Sequence, residues 1–287
     1  MSETIFQNSG CVNTILGSFN HLNAFLPLKY KQNIGTTLNH KYSVLASYPL
    51  TEQPNLLYFG IGVNGYSCAS SNNGRSLHIK HQPDCRNMDL YEPIPFRIVP
   101  VSNDLTPAQR AKYRMRVVRT IEGVEYAHYY LKLIEWDPDY AEIVVYKTDG
   151  QVEQYSLNNG FLTPTVPSAS TTGGAIDQTD RIIVRAIGIC NVSVGELSDY
   201  MSLYEHKNYC EISEFGFYTG VDKVLNSDGE VAENEMTDTE ENPENVIKEA
   251  TYVQLAKHKT QLPVTLDSDN SSLETKISIE ESNSVSI

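Results

Sequence analysis

The sequence predicts a mainly β protein, with an antiparallel meander or sandwich-like body, a few short helices and an extended acidic C-terminal arm. Apolar and aromatic runs recur at roughly ten-residue spacing between Gly, Asp and Pro turns, which is typical of antiparallel strands. Charge indicates the arm, because residues 226–287 hold fourteen acids and four lysines and so contribute −10 of the net charge of −14. We therefore divide the chain into an irregular N-terminal extension (1–50), a β-rich body (51–225) and the acidic arm (226–287).

One short helix is predicted in the N-terminal extension. This region is polar, but a few apolar residues recur there at helical spacing. The residues that give the pattern are Val12, Ile15, Leu16 and Phe19.

The clearest strands lie between residues 113 and 157, where the pattern predicts a four-stranded meander. Glu122-Gly123 and Asp149-Gly150 are typical of tight hairpin turns. Charged residues threaded through the strands indicate a sheet with one wet face and one packed face. The predicted strands are 113–121, 124–134, 140–146 and 151–156.

Two capping boxes predict short helices in the body. Thr106-Pro107-Ala108-Gln109 combines a Thr cap, Pro at the first helical position and Gln three residues after the cap. A second box, Ser193 to Glu196, follows an apolar strand predicted over 181–192 and precedes another over 209–218. The second helix would present one apolar face, made of Leu197, Met201 and Tyr204.

Two further segments are assigned by composition. Residues 158–179 are dense in Pro, Gly, Ser and Thr, which predicts a long loop that forms a tip, an arm or an interaction loop. In the acidic arm, Asn242-Pro243-Glu244 is typical of a helix start, and Lys257 to Lys259 would then lie in its last turn.

The run YFGIGVNG, residues 58–65, contains the pattern G-x-G-x-x-G that is typical of dinucleotide-binding loops. Such a loop also needs a helix that opens on the third glycine, since the helix N-terminus binds the pyrophosphate. The residues after Gly65 have loop composition with no apolar period. We therefore predict no cofactor, and assign Gly60, Gly62 and Gly65 to a tight turn or to close approach of another backbone.

A weak candidate metal cluster lies in the same part of the chain. His78, His81 and Cys85 place borderline and soft ligands close together in sequence. Pro83 and Asp84 rule out a helix there, and no second compact pair completes a tetrahedral set. A surface loop is the favoured interpretation, and we predict no metal and no catalytic residues.

Eighteen tyrosines leave two interpretations open. Those of the predicted meander either fill a half-buried sheet face or form a protein interface, where tyrosine is enriched. Strand alternation places His128 on the same face as Tyr126 and Tyr130, which favours a packed histidine over a catalytic base. The candidate interface residues are Tyr126, Tyr130, Tyr146 and, in the long loop, Ile176.

Composition argues against several classes of protein. A net charge of −14 disfavours nucleic-acid binding, which requires clustered Lys and Arg. No apolar run reaches the length of about 18 residues that a membrane helix needs, and the first residues lack a secretory pattern. The five cysteines form no C-x-x-C pair, which predicts free thiols in a reducing compartment.

Four stretches, in order, resemble a set of uncharacterised virion structural proteins of large tailed bacteriophages. In that family a GIGNNG-like run precedes a His-Pro loop, an L-Y-x-x-I-P-F stretch and an L-T-x-x-x-R-x-x-Y start, and a closing S-E-I-G-x-x-x-G-V-D ends the body. This chain departs from the pattern at Phe215, where an aliphatic residue is usual, and at Cys85. The stretches, called the four landmarks below, are YFGIGVNG (58–65), HQPDCRNMDLYEPIPFRIVP (81–100), SNDLTPAQRAKYRMRV (102–117) and ISEFGFYTGVD (212–222).

The resemblance implies a non-enzymatic subunit of the phage tail, neck or baseplate, found in the virion and assembled in the host cytoplasm. Its expected partners are copies of itself and other virion structural proteins, in a symmetric ring or stacked assembly, and neither nucleic acid nor membrane. The alternative is a carbohydrate- or receptor-binding β module of the particle, in which exposed tyrosine rings stack on sugars.

Overall fold

The described part of the chain, seen in a computed structural model, divides into two compact units. Unit 1 comprises the described parts of Ser9–Ile134 and Asn191–Glu274, and unit 2 comprises those of Glu135–Cys190 and Thr275–Ile287. The described residues are 11–25, 37–50, 52–71, 74–79, 88–136, 141–147, 149–156, 181–205, 207–226, 228–232 and 246–282.

The mainly β, antiparallel class is confirmed, with helices that are all short. The α-helices are α1 (Ile15–Phe25), α2 (Leu38–Tyr42), α3 (Pro107–Arg110) and α4 (Val194–Tyr200), the last continued by a π-helical turn (Met201–Glu205). The strands are β1 (Cys11–Asn13), β2 (Asn55–Gly62), β3 (Tyr66–Ser71), β4 (Gly74–Ile79), β5 (Pro93–Ile94), β6 (Arg97–Pro100), β7 (Tyr113–Ile121), β8 (Val124–Leu133), β9 (Glu135–Trp136), β10 (Glu142–Tyr146), β11 (Val152–Ser156), β12 (Arg181–Ser193), β13 (Cys210–Leu225), β14 (Ile247–Leu266) and β15 (Ser272–Ser282).

The largest sheet has the order β1-β14-β13-β2-β8-β6, with β5 beside β2 and β7 beside β8. Its two longest strands, β13 and β14, pair with each other and are buried along most of their length. Because such strands are covered on both faces, their polar side chains must find partners inside the protein. The core cluster of this unit contains Leu38, Tyr58, Met115, Tyr130, Leu131, Tyr218, Ala250, Val253 and Leu255.

The predicted N-terminal helix is confirmed for Ile15, Leu16 and Phe19 as α1, which packs directly on β14, whereas Val12 lies in β1. Gly17 permits this contact, since a Cβ at that position would overlap the backbone of Ala256. The amide of Thr14 donates to the carbonyl of Ala256 at 2.8 Å. Asn20 Nδ2 donates to Thr219 Oγ1, a side-chain oxygen of the sheet on which α1 packs, at 2.9 Å.

Both predicted hairpins are confirmed, but they belong to different sheets. β7 and β8 pair around Glu122-Gly123 in the large sheet. β10 and β11 pair across a turn that includes Asp149-Gly150, in a second sheet of order β11-β10-β12-β15 with β9 beside β12. The single four-stranded meander is therefore wrong, because β8 takes β2, β6 and β7 as neighbours rather than β10.

Both predicted capping boxes are confirmed. Thr106 and Gln109 cap α3 reciprocally, with Pro107 in its first turn. Ser193 and Glu196 do the same for α4. These signals are local, since the side chain and the amide it accepts from lie three residues apart.

The helix predicted from Asn242 to Lys259 is wrong, because residues 247–266 form β14. The terminal lysines fitted a helix end, but β13 and β1 provide hydrogen-bonding partners on both sides of this segment. Tertiary pairing therefore overrides the local signal. This strand falls within the segment assigned to the acidic arm, while residues 233–245, together with the loop 158–179 and its Ile176, lie outside the described residues.

Candidate functional site

The glycine-rich turn after β2 encloses a buried carboxylate. A Cβ added to Gly62 would lie 2.9 Å from Glu214 Oε2 and 2.7 Å from Glu92 O. A Cβ added to Gly65 would lie 2.6 Å from Thr260 Cγ2, and Gly65 also has a left-handed φ of +74°. The turn leads into β3 rather than into a helix. It therefore lacks the helix N-terminus that would bind a pyrophosphate.

Gly60 makes room for side chains rather than for a ligand. A Cβ added there would lie 3.1 Å from the ring of Tyr218 and 3.2 Å from Leu131 Cδ2. Both neighbours belong to the core cluster. The first glycine of the pattern thus lets two large side chains close over β2.

Glu214 and His258 form a hydrogen-bonded pair whose side chains are both 0% exposed. His258 Nε2 lies 3.2 Å from Glu214 Oε1, and Glu214 Oε2 accepts hydrogen bonds from the amides of Tyr91 and Glu92 at 3.1 and 3.4 Å. Three separate segments therefore meet at one carboxylate. His258 Nδ1 is buried without a partner among the described residues. Both side chains are closed to solvent and pack inside unit 1.

Asp222 at the end of the fourth landmark joins the first and third landmarks. Arg114 donates to it through two nitrogens, Nε to Oδ1 at 2.9 Å and Nη2 to Oδ2 at 2.7 Å. The hydroxyl of Tyr58 donates to the same Oδ1 at 2.6 Å. Burial opposes the charge on Arg114, but the hydrogen bond and charge of Asp222 outweigh it and raise the pKa of Arg114.

Asp89, in the second landmark, is held in the same way. Its Oδ1 accepts the Tyr218 hydroxyl at 2.8 Å, and its Oδ2 accepts Lys41 Nζ at 2.7 Å and the Tyr42 hydroxyl at 3.0 Å. Burial, and then the charge of Asp89, raise the pKa of Tyr218 well above its usual value. All four landmarks are thus connected through hydrogen-bonded side chains or backbone within unit 1.

Glu249 holds an irregular point of β7, at which the register with β8 is unchanged. Met115 has a left-handed φ of 57°, and its amide donates to Glu249 Oε1 at 2.7 Å. The amide of Arg116 donates to Oε2 at 3.3 Å, and Arg110 Nη2 donates to Oε2 at 2.9 Å. The carboxylate therefore satisfies two backbone N–H groups where the regular strand conformation is interrupted.

Asn39 of α2 plays a similar role at a bulge of β14, where the register with β13 shifts between Thr219 and Val221. Tyr252 in β14 has a left-handed φ of 51°. Asn39 Oδ1 accepts the amide of Val253 at 2.6 Å, and its Nδ2 donates to the carbonyl of Ala250 at 2.6 Å. Two irregular strands are thus fixed by side chains from distant parts of the sequence.

The model of a family of unknown function, DUF7208, matches residues 1–284. The chain belongs to the DUF7208 family. A search of curated proteins and a search of solved structures each found no match to it.

In this DUF7208 chain, the predicted metal candidates lie outside what the structure describes. His81 and Cys85 are not among the described residues, and only the backbone of His78 is, as part of β4. Within the described ranges no group of three or more His, Cys, Asp and Glu side chains has metal-site geometry. None of the described helices has the length and apolar character needed to cross a bilayer.

The candidate interface tyrosines are placed in unlike surroundings. Tyr130 is 5% exposed and stacks on Tyr42 with ring centroids 5.3 Å apart, so it offers little surface to a partner. Tyr126 is half-buried in β8. Tyr146 is 39% exposed in β10, with the Arg181 guanidinium 6.0 Å from its ring centroid.

The prediction of a packed His128 is confirmed. Its side chain is fully buried and stacks on Tyr130, with ring centroids 6.3 Å apart. Its Nδ1 lies 3.1 Å from the carbonyl of Tyr126 and its Nε2 2.7 Å from the Tyr204 hydroxyl, so Nδ1 carries the proton. Burial lowers the pKa of His128, which keeps the ring neutral in this aromatic stack.

Sequence reasoning missed the acids that hold the DUF7208 fold together. With 36 acids in the chain, carboxylate pairs carry little information in the sequence. A usable signal was present, since Glu214 and Asp222 lie within an otherwise apolar, aromatic strand and inside a landmark. A charge in such a strand must be paired, although the sequence does not say with what.

The described cysteines agree with the prediction of free thiols. Cys11 and Cys210 are free thiols. Burial, and then the charge of Glu205, raise the pKa of Cys210 to about 12, so this thiol stays protonated and unreactive at neutral pH.

Proposed function

We propose that the chain is a non-enzymatic structural subunit of a tailed-phage virion, in the tail, neck or baseplate, that assembles through protein–protein contacts. The assignment to the phage particle rests on the resemblance of the four landmarks to virion structural proteins. One structural observation supports the non-enzymatic role: charged side chains of the landmarks are bonded to other side chains of unit 1. Asp222 with Arg114, and Glu214 with His258, are the main examples.

A catalytic carboxylate or histidine has to reach a substrate. Glu214 and His258 are both fully buried, and Asp222 has both oxygens engaged by Arg114 and Tyr58. Groups held in this way fix the positions of strands. A subunit that contacts neighbours in an assembly requires strands that are fixed in this way.

The carbohydrate-binding alternative requires an exposed row of aromatic rings, and Tyr129 and Tyr130 would be its central members. Tyr129 is 0% exposed and Tyr130 is 5% exposed. Neither ring presents a face on which a sugar could stack.

The direct test is to look for the chain in particles. Particles of the phage that encodes the chain would be purified on a density gradient, and the protein quantified by mass spectrometry against the major capsid protein. We expect a fixed copy number per particle that survives a high-salt wash, which separates a built-in subunit from an adsorbed one. Recovery only in the soluble fraction of the lysate, with particles free of it, would overturn the proposal.

A second experiment tests the non-enzymatic role. Particles assembled with Glu214→Gln in place of the wild-type chain should infect normally if the variant is incorporated, because Gln keeps the shape and loses the charge. Incorporation at the normal copy number with loss of infectivity would instead indicate a chemical role for the carboxylate.

A further inference from the structure

The outer half of β7 is an unpaired edge of the large sheet. Among the described strands β7 pairs with β8 alone. Val118, Arg119 and Thr120 are exposed, Val118 to 42%, and Val124 on the returning strand is 46% exposed. Residues 117–121 therefore leave the body of unit 1 as a projecting hairpin with apolar side chains open to solvent.

The turn fixes which backbone groups face outward. Glu122 and Gly123 both have positive φ, 49° and 84°, which defines a two-residue type I′ turn flanked by Ile121 and Val124. The flanking residues of such a turn exchange both ladder hydrogen bonds, and bonded and unbonded pairs then alternate along the hairpin. The N–H and C=O groups of Val118 and Thr120 therefore point away from β8.

The inner half of the same strand is closed to partners. At Met115, whose φ is 57°, the amides of Met115 and Arg116 are both bonded to Glu249. A side chain that occupies the backbone N–H groups of an edge strand leaves them unavailable to another strand. Residues 117–121 have no bulge, no proline and no lysine, and four of the five are β-branched. This combination is typical of a strand that accepts another strand.

We propose that this edge pairs antiparallel with the same edge of a second copy, about a two-fold axis through Arg119. Val118 then lies opposite Thr120 of the copy, and these two symmetric pairs form four hydrogen bonds. Val117 lies opposite Ile121, so β-branched side chains meet on the other face. The large sheets of two copies would form one continuous sheet.

Charge complementarity selects a second copy as the occupant. In this register Glu122 lies opposite Arg116 of the copy, and symmetry creates the pair twice. Arg116 also holds Asp104 of its own chain, with Nε at 2.8 Å and Nη2 at 2.7 Å, so Glu122 of the copy adds a second carboxylate to a guanidinium that has five N–H donors. The one unfavourable pairing is Arg119 with itself. Its guanidinium lies over its own Tyr130 ring, 5.5 Å from the centroid, and is thus directed back along its own hairpin.

The test is sedimentation equilibrium of the full chain over a range of concentrations. The main variant is Thr120→Pro, because proline removes an outward N–H and leaves the β7–β8 ladder bonds in place. Its matched control is Thr120→Val, which keeps the amide. We expect a concentration-dependent wild-type dimer, an equally stable Thr120→Val dimer, and a dimer weakened by at least about tenfold in Thr120→Pro, since two hydrogen bonds are lost.

A second variant tests the same contact if the Thr120→Pro protein fails to fold. Glu122→Lys places a lysine opposite Arg116 of the copy and should weaken the dimer, more at low than at high salt, while Glu122→Gln should weaken it less. Hydrogen exchange of the wild type should show the Val118 and Thr120 amides slowing as concentration rises. A wild-type monomer at every soluble concentration, or a dimer that both Thr120→Pro and Glu122→Lys leave unchanged, would overturn the proposal.

Discussion

Units 1 and 2 both carry ion pairs on β-strands, but they place them differently. In unit 1 the Arg114 side chain is 2% exposed and that of its partner Asp222 24%, while Glu214 and His258 are fully buried. In unit 2 the pair between Arg185 and Glu142 is 22% and 20% exposed. A surface pair contributes little because water screens it, whereas removal of one partner from a buried pair leaves a charge without a partner. The four landmarks all lie in unit 1, so the resemblance follows the buried charges.

The largest expected effect comes from breaking a buried pair. Asp222→Ala leaves the buried Arg114 guanidinium without its carboxylate and removes the acceptor for Tyr58, so we expect a loss of about 3–5 kcal/mol in the free energy of unfolding. Glu142→Ala in unit 2 is the matched control and should lose less than about 1 kcal/mol. Urea unfolding, with hydrogen exchange of β13 and β10 as local probes, measures both. Equal losses for the two variants would remove the distinction between the units.

Two glycines with similar φ angles allow a second comparison of the two units. Gly65 in unit 1 and Gly150 in unit 2 have φ of +74° and +85°, but a Cβ on Gly65 meets Thr260 at 2.6 Å while one on Gly150 meets nothing within 4 Å. Gly150→Ala should therefore cost only the backbone strain, about 1–2 kcal/mol. Gly65→Ala should cost about 1–3 kcal/mol more, because the core must shift. Thermal unfolding of both variants gives the difference, and a Gly65→Ala protein no less stable than Gly150→Ala would contradict it.

The buried tyrosines predict a loss of stability in alkali. Burial, with neighbouring acids, raises the pKa of Tyr58 and of Tyr218 above the usual 10.0. The folded state then keeps protons that the unfolded state releases, so stability is complete below pH 10 and falls as pH rises above it. Urea midpoints between pH 8 and 11 should show this fall, and Tyr218→Phe should reduce it. A midpoint that stays constant to pH 11 would show that these phenols ionise as freely as in water.

The elements that could be predicted from the sequence are those set by neighbours in the chain. The caps Thr106 and Ser193 and the turn Glu122-Gly123 depend on residues three or fewer positions apart. The strand β14 could not be predicted, because its alternatives differ only in the partners that β13 and β1 supply. The same holds for the assignment of the two hairpins to separate sheets.

The candidate site was predictable only in part, for a similar reason. The missing helix after Gly65 already argued against a nucleotide site. The sequence could not reveal that Gly62 faces Glu214, since 152 positions separate them and the contact exists only once β2 and β13 pair. Which few of the many acids are buried is therefore a property of the folded chain.

The pairing of charged side chains holds the landmarks together. A double-mutant cycle on Arg114 and Asp222 tests this most directly. Arg114→Met, Asp222→Ala and the double variant would be compared by urea unfolding with hydrogen exchange in β13. The account predicts that the double variant loses less stability than the sum of the single variants, by at least about 2 kcal/mol. A coupling below about 0.5 kcal/mol, the range of independent sites, would contradict it.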